Sequence, residues 1–308
     1  MVGKNGEGSI KFNMLVVPLI AALLVGGFGF VNYQIKSSLD REIYGTPRGE
    51  VGEEDPSDLG LDYEQVQFTS SNTTEEKLKL YGWFIEGSSD KCIILAPGKG
   101  QNRWKLFDYV PFLHEAGYDL LLFDPQGRGK SEGEEWAFGY FESRDIINAA
   151  KHLEESYQIQ DVGLLGRSAG ATASLIAAID SEKIDAVVAD SPFASIKLAS
   201  ESYGGYENNP LFDLLFPLYG LGANQMLETD IIEKTDLTER IKNLRKPVFF
   251  IHGDGDEVLY PKNTKVLYES KPAEKQLWTP EGVGHVGGFE EREQEYRQRV
   301  VNFFDSNL

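Results

Sequence analysis

Cysteine is almost absent from this 308-residue chain, which has only Cys92. A lone cysteine forms no intrachain disulfide, so the fold is not a disulfide scaffold. Its place in the apolar run Cys92-Ile93-Ile94-Leu95-Ala96 marks it as a core residue. Histidine is scarce too, at four residues, and no cluster of Cys and His has zinc spacing, so neither a metal nor a cofactor is expected. Basic charge is outnumbered, 30 Lys and Arg against 49 Asp and Glu, for a net charge of −19. That balance argues against nucleic acid as a partner, which would need a basic patch, and reads as solubility. No internal repeat is visible. What remains is a hydrophobic fraction of 41%, enough for a core, in a length that suits one large α/β domain or two small ones.

Glycine is plentiful, at 32 residues, so one glycine-spaced motif can arise by chance. Its context decides its weight. Val162 to Leu165 is a short apolar run that reads as a buried strand, Gly166-Arg167-Ser168-Ala169-Gly170 follows as Gly-x-Ser-x-Gly, and Ala169 to Ile179 has helical composition. Strand, sharp turn and helix are the setting in which this motif exposes a nucleophile. A side chain at Gly166 or Gly170 would strike its neighbours, Ser168 would stand at the top of a sheet, and the Ala169 N–H would point at any oxyanion formed there.

Along the chain, the uncharged, mostly apolar run from Met14 to Val31 would reach about 27 Å as a helix, close to the hydrocarbon thickness of a bilayer. A tail over residues 1–11 would precede a transmembrane anchor over 12–33. The short tail favours the inside, which puts the catalytic domain on the extracytoplasmic side. A cleaved signal peptide is the rival, but the run is long for one and no Ala-x-Ala site follows. Residues 34–60, with Gly45, Pro47, Gly49, Gly52, Pro56 and Gly60 among many charges, read as a linker with a short helix near Ser37 to Tyr44. The globular part, 61–308, alternates strands with helices. Strands are expected at 64–69, 77–85, 91–96, 120–123, 162–165, 186–189, 248–251 and 276–278, and helices at 107–116, 142–157, 169–179 and 290–304. This is an α/β pattern, a mostly parallel central sheet with helices on both faces, whose chemistry sits at the strands' carboxyl ends. An aromatic-rich insert over about 192–245 breaks the alternation. Its Tyr203, Tyr206, Phe212, Phe216 and Tyr219 either line an acyl pocket or pack a small cap.

A serine hydroxyl needs a base. His114 and His152 fall within helices and His252 ends a strand as a packing residue. His285, in Gly282-Val283-Gly284-His285-Val286-Gly287-Gly288, follows the last strand and is the base by elimination. An acid must orient it, and Asp254 or Asp256, in His252-Gly253-Asp254-Gly255-Asp256, could reach. Asp124-Pro125-Gln126-Gly127-Arg128-Gly129-Lys130-Ser131 ends like a phosphate loop but lacks its leading glycine. It reads instead as a turn tied beneath the site by Arg128 and Asp124.

With Ala96-Pro97-Gly98-Lys99-Gly100 and Asp190-Ser191-Pro192-Phe193 added to these stretches, residues 61–308 resemble α/β-hydrolases of the serine-hydrolase type. The resemblance is to the membrane-anchored bud-emergence-type hydrolases and the related monoacylglycerol-lipase/serine-aminopeptidase group. It implies Ser168, Asp256 and His285 as the triad, with Asp254 beside it, and the N–H groups of Lys99 and Ala169 as the oxyanion hole. This chain has Pro97-Gly98 where the family usually has His-Gly, and Pro261 one position later than the family's proline. The implied activity is hydrolysis of a small-molecule or lipid-like acyl substrate, an ester first, with amide and thioester as alternatives. A surface-anchored binding module that has lost turnover is the reading from another class.

Overall fold

The computed structural model describes residues 29–71, 77–272 and 274–308. Its centre is an eight-stranded sheet: β1 (Glu64–Ser70), β2 (Leu78–Ile85), β3 (Lys91–Ala96), β4 (Asp119–Phe123), β5 (Asp161–Arg167), β6 (Ala186–Asp190), β7 (Val248–Ile251) and β8 (Lys275–Trp278). The spatial order is β1-β2-β4-β3-β5-β6-β7-β8. β2 pairs antiparallel with both β1 and β4, and β4, β3 and β5 to β8 run parallel. The sheet is the mostly parallel one expected from the apolar runs.

Strand side chains alternate between two faces, and each face has its own core. Ile94, Leu121, Leu164, Val187 and Phe250 join one cluster, and Ile93, Leu122, Leu165, Val188 and Phe249 join the other. The helices are α1 (residues 29–43), α2 (Val110–Glu115), α3 (Tyr140–Tyr157), α4 (Ala169–Asp180), α5 (Ile196–Gly204), α6 (Pro210–Met226), α7 (Ile231–Thr235), α8 (Leu237–Arg240), α9 (Lys262–Ser270), α10 (Gly288–Glu291) and α11 (Glu293–Asn307). α1, α3, α4 and α9 contribute to the first cluster, and α2 and α11 to the second. Every residue of α4 from Ala169 to Ala178 is buried, and its alanines let it lie close to the sheet.

Several expectations need correcting. The helix expected at 107–116 is a 3-10 stretch, Arg103–Tyr109, followed by the short α2. The closing helix breaks at Arg292 (φ −135°, ψ 42°) into α10 and α11. α9, whose Asn263, Thr264 and Leu267 are buried, has no strong sequence signal. The insert between β6 and β7 is helical, α5 to α8.

The expected anchor over 12–33 falls, except for residues 29–33, outside the described residues, as does the tail over 1–11. Among the described residues no helix is long and apolar enough to cross a membrane. Within the stretch expected as a linker, α1 buries Leu39 and Ile43 completely. The segment that follows is bonded to the domain. The Gly129 N–H donates to Arg48 O at 2.7 Å, Arg128 Nη1 to Thr46 O at 3.2 Å, and Asn102 Nδ2 to Glu50 O at 2.9 Å.

Candidate active site

β5 ends at Arg167 and α4 begins at Ala169, so Ser168 takes the whole change of direction. Its backbone has φ 53°, ψ −120°, a positive φ that a non-glycine residue adopts only under strain, at a cost of about 1–3 kcal/mol. The flanking glycines make the turn possible. A Cβ at Gly166 would lie 2.4 Å from the Gly170 oxygen, and one at Gly170 would lie 2.2 Å from the Ala96 oxygen. Ser168 N donates to Asp190 O at 2.7 Å, which locks the elbow to β6.

His285 stands on the loop after β8, with Val286 (φ 49°) holding the bend behind it. The loop lies backbone to backbone against the turn after β7. A Cβ at Gly253 would meet the Val283 oxygen at 2.1 Å, Gly255 N donates to Val283 O at 3.1 Å, and Gly282 N donates to Asp254 Oδ1 at 2.6 Å. Arg167, the residue before the serine, clamps the loop from below. Its Nη2 donates to Val286 O at 3.0 Å and pairs with Glu290 at 3.2 Å.

These constraints bring three distant side chains into line. His285 Nε2 is 2.9 Å from Ser168 Oγ, and His285 Nδ1 is 2.6 Å from Asp256 Oδ2. The carboxylate accepts only, so Nδ1 carries the proton and Nε2 is left to accept from the serine hydroxyl. Asp254, the other candidate acid, bonds the Gly282 N–H instead.

The Asp256 side chain is completely buried and holds four donors. Val258 N (2.9 Å) and Leu259 N (2.8 Å) meet Oδ1, and His285 Nδ1 and His252 Nε2 (3.0 Å) meet Oδ2. Burial pushes its carboxyl up, but the bonds from His252, His285 and the Leu259 N–H outweigh burial and hold it well below the usual carboxylate range. His252 is therefore more than the packing residue expected. Leu259 O accepts from its Nε2 at 2.8 Å, so that nitrogen bears hydrogen, and Thr264 Oγ1 lies 2.5 Å from Nδ1. The His-Gly-x-x-Asp spacing, i to i+4, was the available signal for this second contact.

The Lys99 and Ala169 N–H groups have no protein acceptor among the described residues, and both residues line one cavity. That cavity has a volume of about 710 Å³. Its walls come from α1 (Ile35, Ser38), from Trp136 and Phe138, and from the cap, where Tyr203, Tyr206, Phe212, Phe216 and Tyr219 all face it. The cap aromatics thus line the pocket as well as stacking on one another, Tyr206 on Phe212 at 5.1 Å and Phe216 on Tyr219 at 6.1 Å.

Asp124 and Arg128 do hold the turn after β4, but not through each other. Asp124 pairs with Arg103 at 3.7 Å and accepts from Lys130 N at 2.9 Å, whereas Arg128 donates to backbone oxygens. The remaining histidines are structural. His114 Nε2 is 3.0 Å from Glu86 O, and His152 stacks on Phe68.

The sequence pattern of the serine aminopeptidase S33 family matches residues 87–226. The uncharacterized protein YfhR of Escherichia coli O157:H7 is 30% identical over 260 residues, 80% of this chain and 81% of its own length. The chain belongs to the serine hydrolases of the α/β-hydrolase fold. An esterase of Pyrococcus furiosus is similar in structure, with a TM-score of 0.69 and 26% identity, over 85% of this chain and 99% of the esterase. An uncharacterized membrane protein of Saccharomyces cerevisiae is 25% identical over 221 residues, 71% of each chain. The hydrolase is thus an enzyme whose solved neighbours include an esterase.

Proposed function

We propose that this hydrolase cleaves carboxylic esters with an apolar acyl group, through a Ser168–His285–Asp256 triad and an acyl-enzyme. The observation that carries the reading is the imidazole of His285 bridging Ser168 Oγ and the Asp256 carboxylate at 2.9 and 2.6 Å. Ser168 Oγ attacks the ester carbonyl while Nε2 takes its proton. Asp256 fixes the tautomer and stabilises the imidazolium. The N–H groups of Lys99 and Ala169 hold the oxyanion, aided by the N-terminus of α4. Collapse breaks the ester bond, and the imidazolium protonates the departing alkoxide. Water then attacks the acyl-serine with Nε2 as base, which releases the carboxylic acid and restores Ser168.

Ester is favoured over peptide by the pocket. An aminopeptidase needs a carboxylate for the substrate's ammonium. Among the described residues lining the cavity Glu42 is the one carboxylate, and Lys99 already pairs with it. The rest of the lining is dominated by aromatic and aliphatic side chains, suited to an acyl chain.

An anchor over 12–33, with the catalytic domain outside the cytoplasm, belongs to the same reading. The uncharged run from Met14 to Val31 supports it, as does the exposure of Phe30 and Tyr33 in α1. So does the exposure of Leu211, Leu214 and Leu221 in α6.

The test is a series of p-nitrophenyl esters of rising chain length beside aminoacyl-nitroanilides. Turnover of the esters with kcat/KM rising with chain length is expected. Faster cleavage of the nitroanilides would replace the ester reading with a peptidase one, and labelling of Ser168 without turnover of any substrate would favour a binding module.

A further inference from the structure

The turn that carries the Lys99 N–H is gripped by a part of the chain outside the strand-and-helix alternation. Lys99 Nζ pairs with the Glu42 carboxylate of α1, and the same ammonium sits 4.2 Å above the Trp136 ring. The next residue, Gly100 (φ +67°), backs onto the segment after α1. A Cβ there would lie 3.5 Å from Pro47 Cγ and from Thr46 Cγ2, and a Cβ at Gly49 would lie 3.0 Å from the Gly100 oxygen. Beyond the turn, Asn102 Nδ2 donates to Glu50 O at 2.9 Å. Within the turn, among the described residues, the only bonds join Gly98 and Gln101, at 3.2 Å each. The turn has few fixtures of its own and is buttressed along its length by residues 42–50.

α1 is in turn held at two places. Leu39 and Ile43 are fully buried in the core, and Leu39 Cδ1 lies 2.9 Å from where a Cβ at Gly222 of the cap helix α6 would be. The helix therefore joins the cap to the oxyanion turn while Ile35 and Ser38 wall the acyl cavity.

We infer that Glu42 is a positioning residue for the reaction: through Lys99 it holds the oxyanion-donating turn in register with Ser168, so the segment ahead of the hydrolase unit is part of the active site. The inference rests on the proposed oxyanion role of the Lys99 N–H. An exposed ion pair adds little to stability because solvent screens it and two flexible side chains must be ordered. Its value here is geometric, because an oxyanion donor works only when aimed to within a few tenths of an ångström of the developing charge.

The experiment uses the full chain and a short p-nitrophenyl ester. Deleting an oxyanion donor costs about 10²–10³ in kcat, and loosening one whose backbone remains should cost less, roughly three- to tenfold. Glu42→Gln and Lys99→Met should each lower kcat by that amount with KM within about twofold. The double variant should be no slower than either single one, and the exchanged pair Glu42→Lys/Lys99→Glu should recover part of the loss. Fluorophosphonate labelling of Ser168 should persist in all of them, which separates failure of this inference from failure of the triad. Unchanged kcat in both single variants would overturn it. So would losses that multiply in the double variant, or losses that follow a fall in melting temperature with no recovery in the exchanged pair.

Discussion

Replacing Asp256 by Asn tests the proposed triad with the smallest change of shape. The asparagine carbonyl can take over the Val258 and Leu259 N–H groups that now meet Oδ1. Its amide then faces two ring nitrogens that both bear hydrogen, His285 Nδ1 at 2.6 Å and His252 Nε2 at 3.0 Å. Donor against donor is untenable in a fully buried site, so His285 must change tautomer. Nε2–H would then point at Ser168 Oγ and could no longer take its proton. The expected loss in kcat is on the order of 10⁴, about 5 kcal/mol of transition-state stabilisation, with KM little changed. Frustrating the His252 contact should cost about 1–3 kcal/mol of stability. The pH dependence has a definite sign. The folded-state pKa of Asp256 is depressed, so its contribution to stability is present above the unfolded value near 4 and is lost as pH falls through the lower folded value. Asp256→Asn lacks that titration, so its melting temperature should fall less steeply than the wild type's below about pH 4. Steady-state hydrolysis of a p-nitrophenyl ester, with melting curves across pH, reads all of this. A folded variant keeping activity within tenfold of wild type would refute the reasoning.

Leu215→Trp should fill part of the cavity of about 710 Å³ and cut kcat/KM for the longest acyl esters by roughly tenfold while sparing the shortest; a uniform loss across the series would separate this cavity from the acyl group. Burial pushes the carboxyl of the fully buried Asp145 up to about 8. A raised acid contributes stability that is full below its unfolded pKa near 4 and is lost as pH rises through about 8, at no more than about 1.4 kcal/mol per pH unit. Asp145→Asn should accordingly flatten the fall in melting temperature between about pH 4 and 8, and an unchanged slope across that window would remove Asp145 as its source.

Much of this arrangement was legible in the residues because burial on both faces writes an uninterrupted apolar run. Cys92 to Ala96 and Val162 to Leu165 are such runs, and both are central strands. The pairing of Ser168 with His285 was legible because so sharp a strand-to-helix turn demands glycines and because histidines are few. Asp256 over Asp254 was not decided by the residues themselves. It turns on which carboxylate the Gly253–Val283 contact aims at the imidazole, and that is a tertiary fact. α1 was the least legible element. The short helix expected near Ser37 to Tyr44 is its second half, but only Ile35, Leu39 and Ile43 repeat at helical spacing, among charges and just ahead of Gly45 and Pro47, so the composition of a linker hid the helix's earlier start and its burial in the core. α9 was missed for the same reason, since its buried positions include the polar Asn263 and Thr264.

The measurement that bears most directly on the central claim is labelling by a fluorophosphonate probe, which reacts only with a serine whose hydroxyl a neighbouring base activates. With Ser168 Oγ 2.9 Å from His285 Nε2, the wild type should label stoichiometrically at Ser168, His285→Ala weakly, and Ser168→Ala not at all. Equal labelling of wild type and Ser168→Ala would contradict the account.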